Sequence, residues 1–201
     1  MREAGLIIFS YLVGSIPFSY VMGRLFGKID IRQHGAQKVS PSNVFQTVGK
    51  VPGTIAGIAD VLKGTAMVLL ARKLQMPELV VALCGLAAIA GHDWPIYLRF
   101  YGGRGIGTSM GVLFIMAPRA AAIIVISLLV GKIARNTGIG TVIGVLLLPL
   151  AALILHYSPT VFFLTVGILL LAFFSRVRAF WRVKENRRQV FWNRLIRDSN
   201  R

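Results

Sequence analysis

The sequence predicts an all-α integral membrane protein with about seven transmembrane helices, its N-terminus outside and its C-terminus in the cytoplasm. Three observations predict this fold class. Apolar residues make up 55% of the 201 residues and charged residues only 15%. Apolar segments follow one another along the whole chain, and basic residues are concentrated in alternate connections and in the C-terminal tail. Long apolar runs with few charges are typical of membrane helices and not of a water-soluble core.

The apolar segments approach the length that a membrane span requires, which is about 20 residues. The expected spans are residues 4–24, 51–71, 79–98, 106–116, 120–133, 138–155 and 159–174. The first run continues through residues 14–17 without the small-residue cleavage site of a signal peptide, so we expect a retained first span. Several segments are shorter than an ideal crossing, and tilt or buried ends would have to accommodate them.

The distribution of Lys and Arg predicts the orientation. With the N-terminus outside, 18 basic residues lie in the connections after spans one, three and five and in the tail, against 4 on the outer side. Cytoplasmic segments retain Lys and Arg, so this split favours that orientation and an odd number of spans. We expect a multi-span domain over residues 1–175 and a basic cytoplasmic tail over residues 176–201.

The net charge of +16 bears on whether the protein binds nucleic acid. In a soluble protein such an excess would suggest nucleic acid. Here the charge lies in short connections and in a tail interleaved with Phe and Trp, a pattern typical of contact with anionic lipid headgroups. We therefore expect membrane lipids, and no nucleic acid, as partners.

Two charged residues in the second span stand out because charge within a membrane is costly and marks sites. Asp60 and Lys63 are three residues apart, which places them on one helix face where they can pair. The pair is open to two interpretations, a structural ion pair between helices or a direct part of a functional site.

A second candidate site begins where the third span ends. His92 follows Gly91, and Gly102, Gly103, Arg104 and Gly105 precede the fourth span, which contains Thr108. Glycine lets backbone approach a ligand, a helix start favours an anion, and the guanidinium fork suits phosphate. We interpret this glycine segment as a phosphate site with His92 beside it.

The connection after the first span is long and rich in small and polar residues, including Ser42 and Asn43. It could be an ordinary cytoplasmic connection, or a folded loop that donates backbone N–H groups to phosphate. Other chemistry finds no support in the sequence. Cys84 is the single cysteine, and the sequence contains no metal-ligand cluster and no His followed four residues later by Asp.

These residues resemble the bacterial acyl-phosphate:glycerol-3-phosphate acyltransferases, small membrane enzymes with seven spans. The resemblance runs from Tyr11 to about Arg178. It is carried by these residues: 11–17, Asp30, Ile31, Arg32, Asn43, Gly49, Lys50, Asp60, Lys63, Gly64, Gly91, His92, Pro95, Gly102, Gly103, Gly105 and Thr108.

The resemblance implies transfer of an acyl group from acyl phosphate to the 1-hydroxyl of glycerol 3-phosphate, giving lysophosphatidic acid and inorganic phosphate in a bacterial inner membrane. It implies no metal, nucleotide or acyl carrier at the site. The candidate catalytic residues are His92, Lys63 and Asp60. The candidate phosphate-binding residues are Arg104, Gly102, Gly103, Gly105, Thr108, Ser42 and Asn43.

The sequence also departs from the family pattern. Ala36 stands where the family has a phosphate-binding serine, Gln46 where it has an arginine, and Arg104 where it has a lysine. The C-terminal Arg-His-x-x-Asn motif fits two registers, starting at Arg176 or at Arg182, and its His is a valine in both. Two alternatives therefore stay open, a non-catalytic relative that binds lipid or an anion, and a small transporter or channel. The oligomeric state and the acyl-chain length are left open too.

Overall fold

The computed structural model describes residues 1–181, with side chains to residue 178. The chain forms two compact units, one from Met1 to Met116 and a second that starts at Ala117. The described elements, apart from one short 3-10 turn at Ile96–Leu98, are these α-helices: α1 Arg2–Gly14, α2 Phe18–Gly27, α3 Pro41–Thr47, α4 Lys50–Lys73, α5 Glu78–Asp93, α6 Ile106–Met116, α7 Pro118–Ile133, α8 Thr137–Ile154 and α9 Pro159–Trp181.

The prediction of an all-α protein with several membrane spans is confirmed. Five helical segments are long and apolar enough to cross a membrane: Arg2–Gly27, Lys50–Lys73, Glu78–Leu98, Thr137–Ile154 and Pro159–Arg178. Helix α6 begins and ends as predicted, but its 11 residues rise only about 16 Å, against a hydrocarbon layer of about 30 Å. The count of seven spans and the orientation therefore remain predictions.

The predicted first span lies within one segment that can cross a membrane, Arg2–Gly27, but this segment is not one continuous helix. The chain forms α1 and α2, separated at residues 15–17. Pro17 has no N–H to donate and its ring disfavours the helical conformation of Ile16, so the helical hydrogen bonding stops there. The break leaves backbone groups that can face a ligand or another side chain.

Two pairs of helices organise the first unit. Helix α1 packs on α5, and α4 packs on α6. The α1–α5 contact is close at Gly91, where an added Cβ would collide with the carbonyl oxygen of Tyr11 and lie 2.8 Å from the Ser15 nitrogen. Small residues allow such backbone contact between membrane helices. The contact places the end of α5 beside the break between α1 and α2.

The long connection between α2 and α4 is a folded loop around α3. Ile31, Val39 and Val44 are buried with Leu98 in a small apolar core. Asn43 ties the loop together, because its Nδ2 donates to the carbonyl oxygens of three loop residues and its Oδ1 accepts from the Ala36 N–H at 2.9 Å. The connection is therefore a folded loop, while its predicted contact with phosphate stays a prediction.

A cluster of charged residues stabilises the start of this loop. Asp30 is buried and accepts hydrogen bonds from the Arg32 backbone N–H at 3.0 Å and from its guanidinium at 2.7 Å. Arg24 adds a longer contact at 3.3 Å. The hydrogen bonds from Arg32, together with both positive charges, hold the pKa of Asp30 at about 2, below its ordinary value of 3.8, despite its burial.

This low pKa predicts an acid dependence of stability. The folded-state pKa lies below the unfolded value, so the stabilisation is present above pH 3.8 and is lost as the pH falls through about 2. The difference between the two pKa values corresponds to about 2 kcal/mol. We expect the melting temperature of the wild type to fall more than that of Asp30→Asn between pH 5 and pH 2. Parallel curves for the two proteins would contradict the proposed ion pair.

In the second unit, α8 packs against both α7 and α9. Gly131 and Gly140 allow the backbones of α7 and α8 to approach, since the ideal Cβ of Gly131 would lie 3.0 Å from the Gly140 Cα. Large apolar side chains such as Leu146, Leu153 and Phe163 are exposed, as expected for faces that contact lipid. Most of the predicted tail, residues 182–201, lies outside the described residues, so the domain division at residue 175 stays a prediction.

Candidate functional site

Asp60, Lys63 and His92 form one buried cluster in the first unit. The Lys63 Nζ lies 2.9 Å from Asp60 Oδ1 and 2.8 Å from His92 Nδ1. The side chains of Asp60 and Lys63 are each only 2% exposed, and that of His92 is 9% exposed. The predicted pairing of Asp60 with Lys63 is confirmed, and the structure adds His92 as a third member.

Each member of the cluster is positioned by a different feature of the fold. Asp60 and Lys63 lie one turn apart on α4, while His92 is the penultimate residue of α5. The break between α1 and α2 contributes the carbonyl oxygen of Ile16, which accepts a hydrogen bond from Lys63 Nζ at 3.3 Å. Three separate segments therefore meet at the Lys63 ammonium.

The contacts of His92 Nδ1 favour one tautomer of the ring. A charged lysine carries three donors and no acceptor. His92 Nδ1 lies 2.8 Å from Lys63 Nζ and 3.3 Å from Asp60 Oδ1, so it can accept from the ammonium or donate to the carboxylate. The shorter contact favours acceptance from Lys63, and the proton of a neutral imidazole then lies on Nε2. His92 consequently presents an N–H donor from the side of the ring remote from Lys63.

That side of His92 faces the glycine segment. A Cβ on Gly103 would collide with His92 Nε2, so only glycine permits this approach. The Gly103 N–H donates to the His92 carbonyl oxygen at 3.1 Å, which holds the segment against the end of α5. The predicted association of His92 with the glycine segment is therefore seen in the structure.

The start of α6 is less open to an anion than the sequence implied. Gly105 has a φ of +67°, a backbone conformation that favours glycine, and its ideal Cβ would lie 2.9 Å from Asp93 Oδ1. Asp93 is only 3% exposed. A carboxylate of the protein thus lies next to this helix start, where the helix dipole favours negative charge.

A small cleft adjoins the cluster. Its lining comes from the break between α1 and α2, the folded loop, α4 and the end of α5. The lining residues are Ser15, Ile16, Pro17, Phe18, Ser19, Val39, Asp60, Lys63, His92 and Pro95. The buried charges therefore share this cleft with residues of the break between α1 and α2.

The remaining predicted residues lie around this centre without joining the cluster. Arg104 is half-buried within the glycine segment. Thr108 is fully buried where α6 packs on Gly64 of α4. Ser42 is exposed, with its Oγ 3.2 Å from that of Ser40, and the amide of Asn43 is engaged by loop backbone. A substrate contact by these residues stays a prediction.

Residues 15–19, which form one wall of the cleft, were not predicted from the sequence to have a role in the site. The available signal was Pro17 within an apolar run, which marks a break where backbone and small polar side chains can face a cleft. Within residues 1–181, no group of three or more His, Cys, Asp or Glu residues is placed to hold a metal ion.

The sequence profile of the family described as Glycerol-3-phosphate acyltransferase matches residues 4–193. The chain belongs to this family. Among its relatives is a glycerol-3-phosphate acyltransferase of Shouchella clausii, 38% identical in an alignment that covers 90% of this chain and 88% of that protein. Another, from Rubrobacter xylanophilus, is 33% identical in an alignment that covers 94% of this chain and 92% of that protein.

The fold agrees with crystal structures of PlsY, an integral membrane glycerol 3-phosphate acyltransferase. The glycerol 3-phosphate form of that protein matches with a TM-score of 0.82 at 28% identity, covering 93% of this chain and 94% of the other. Its lysophosphatidic acid form also gives 0.82, covering 98% and 95%. The predicted family is confirmed, and the chain is a multi-pass integral membrane acyltransferase of the phospholipid-synthesis family.

Proposed function

We propose that this protein transfers an acyl group from acyl phosphate to glycerol 3-phosphate, producing lysophosphatidic acid and inorganic phosphate. Membership of the glycerol-3-phosphate acyltransferase family supports the acceptor and the product. The observation that carries the proposal is the buried cluster of Asp60, Lys63 and His92 beside a cleft and a glycine segment. Acyl phosphate is the proposed donor because the sequence resembles enzymes that use it, and because its phosphate is a good leaving group.

The reaction balances with these two substrates alone. The hydroxyl oxygen of glycerol 3-phosphate attacks the acyl carbon, and the bond from that carbon to the phosphate oxygen breaks. Phosphate leaves with the electron pair of that bond, and the hydroxyl proton ends on the departing phosphate. The protein must hold two anionic groups and the carbonyl in register, which is mainly proximity and charge stabilisation.

The geometry suggests different roles for the three clustered residues. His92 presents Nε2–H towards the glycine segment and acts directly as a hydrogen-bond donor to substrate oxygen. Lys63 favours this tautomer of His92, and its positive charge lies close to the cleft. Asp60 balances the charge of Lys63 and holds its side chain in place. Lys63 and Asp60 therefore position and tune His92.

We assign phosphate binding to Arg104 with the backbone of Gly102, Gly103 and Gly105. Because Asp93 lies next to the start of α6, the guanidinium of Arg104 and not the dipole of α6 supplies the attraction in this proposal. We propose a supporting role for the loop, in which Asn43 holds the backbone that carries Ser42. Thr108 is proposed to hold the start of α6 against α4.

Arg104→Ala is expected to weaken binding of acyl phosphate or inorganic phosphate by roughly 10- to 150-fold, because a hydrogen bond to a charged group contributes about 1.5–3 kcal/mol. Arg104→Lys should keep most of the activity, since it retains the charge. Titration calorimetry with inorganic phosphate and steady-state kinetics measure the two effects. Unchanged binding and activity in Arg104→Ala would mean that the glycine segment is only a tight turn.

One assay tests the proposed reaction. Purified protein is mixed with palmitoyl phosphate and labelled glycerol 3-phosphate, and the extract is scored for labelled lysophosphatidic acid. Palmitoyl-coenzyme A in place of palmitoyl phosphate tests the donor, and we expect product only with the phosphate. If no product forms while phosphate still binds, the chain is a non-catalytic, anion-binding member of the family.

We further propose seven membrane crossings in a bacterial inner membrane, with the N-terminus outside and the C-terminus in the cytoplasm. The asymmetry of Lys and Arg supports this orientation. A reporter fused after Arg201 should then report the cytoplasm, while one fused after Gln75, in the connection between α4 and α5, should report the outside. The reverse pair of signals would contradict the orientation, and two matching signals would contradict the seven-span count.

A further inference from the structure

Ser19 differs from Ser10 and Ser15, two other buried serines of the first unit. It is 1% exposed, and within the described part of the chain its Oγ has no hydrogen-bond partner. Ser10 and Ser15 are also buried, but their hydroxyls donate at 2.8 Å to the carbonyl oxygens of Leu6 and Tyr11. A buried polar atom without a partner is costly, so it requires an explanation.

The break between α1 and α2 explains why Ser19 has no such partner. A helical serine commonly donates to the carbonyl four residues earlier, as Ser10 and Ser15 do. For Ser19 that residue is Ser15, which precedes the break, and α2 begins only at Phe18. Ser19 is therefore in the first turn of its helix, where no preceding helical turn offers a carbonyl.

Ser19 lies at the cleft. Ser19 lines it together with Asp60, Lys63 and His92. The first turn of a helix also carries backbone N–H groups without helical acceptors and a partial positive charge. Unlike the start of α6, where the carboxylate of Asp93 lies, the start of α2 brings a hydroxyl donor to the cleft.

We propose that Ser19 and the first turn of α2 bind a phosphate group of a substrate in this cleft. The proposal rests on the proposed acyl transfer for the identity of that substrate, since both substrates carry phosphate.

Kinetics of Ser19→Ala test the proposal. Losing a hydrogen bond to a charged phosphate should raise one KM by roughly 10- to 100-fold. A rise in the KM for palmitoyl phosphate assigns Ser19 to the donor, and a rise in the KM for glycerol 3-phosphate assigns it to the acceptor. Unchanged KM values for both substrates would overturn the proposal.

A pair of variants with matched shape separates the hydroxyl from the effect of size. Ser19→Thr and Ser19→Val add the same bulk, and only threonine keeps the hydroxyl. The threonine variant should bind the affected substrate at least about tenfold more tightly than the valine variant. Equal KM values for the two variants would show that the hydroxyl takes no part in binding.

Stability distinguishes binding from a structural role. Without ligand, Ser19→Ala should melt at the wild-type temperature or higher, because no hydrogen bond of the protein is lost. Ser10→Ala is the control, because it loses the bond to Leu6 and should melt lower with unchanged KM values. A lower melting temperature for Ser19→Ala together with wild-type KM values would make Ser19 structural and overturn the proposal.

A binding measurement keeps the test independent of turnover. Inorganic phosphate, added to phosphate-free buffer, should raise the melting temperature of the wild type more than that of Ser19→Ala. If the wild type makes no lysophosphatidic acid, the proposed reaction is wrong. The phosphate-dependent shift in melting temperature then tests by itself whether Ser19 binds phosphate. Equal shifts in the two proteins would then overturn the inference.

Discussion

Asp60→Ala is expected to lower the free energy of unfolding by about 3–5 kcal/mol, the cost of removing one partner of a buried ion pair. The side chains of Asp60 and Lys63 are each 2% exposed, and the substitution removes the carboxylate that lies 2.9 Å from the Lys63 ammonium. We expect a large drop in the melting temperature of the detergent-solubilised protein. Lys73→Ala, an exposed change at the end of the same helix, should leave it nearly unchanged. Equal melting of the two variants would mean that the pair does not contribute to stability.

A double substitution separates the structural role of the pair from its proposed role in catalysis. Asp60→Asn with Lys63→Met removes both charges and preserves much of the volume, so it should recover much of the stability lost in Asp60→Ala. It also removes the donor that holds His92 Nδ1. We therefore expect a folded protein with turnover near background. Wild-type turnover in a stable double variant would limit the pair to a structural role.

His92→Ala should lower kcat by about 100-fold or more, the typical effect of losing a donor to a developing negative charge. The imidazole is the group that joins Lys63 to the glycine segment, so its removal disconnects the two halves of the site. His156→Ala is the matched control, because His156 lies in the second unit, outside the cluster. Similar kcat values for the two alanine variants would remove His92 from the site.

His92→Gln distinguishes a donor from a general base. Glutamine can present an N–H group in a similar place but cannot accept a proton near neutral pH. If His92 acts through Nε2–H, as the contact with Lys63 implies, the glutamine variant should retain clearly more turnover than the alanine variant. If the glutamine and alanine variants are equally inactive, His92 is a base and the tautomer assignment is wrong.

The sequence predicted most of the helices because a membrane helix needs a long apolar run, and such runs are readable residue by residue. The predicted segment 106–116 coincides with α6, and the segment 138–155 differs from α8 by one residue at each end. The break at Pro17 was missed, since an apolar run conceals it and only the local proline signals it.

The candidate site was predictable where proximity along the helix decides contact. Asp60 and Lys63 pair because they are one turn apart. The contact between Lys63 and His92 joins residues 29 positions apart, and it depends on how α4 and α5 meet. Asn43 is a different case. The family resemblance placed it among the phosphate-binding residues, a role that stays a prediction, and in the structure the surrounding loop engages its amide.

By itself the sequence determined the class of protein, the family and the residue types available for chemistry, because apolar length, charge and motif spacing are local properties. Only the tertiary structure decided which polar groups are already engaged and which face the cleft. Asp93 lies next to the start of α6, and Lys63 holds one nitrogen of His92. Ser19 is buried at the cleft without a partner among the described residues. Hydrogen bonding depends on distance and direction in space, so the same residue types can be structural in one place and available to a ligand in another.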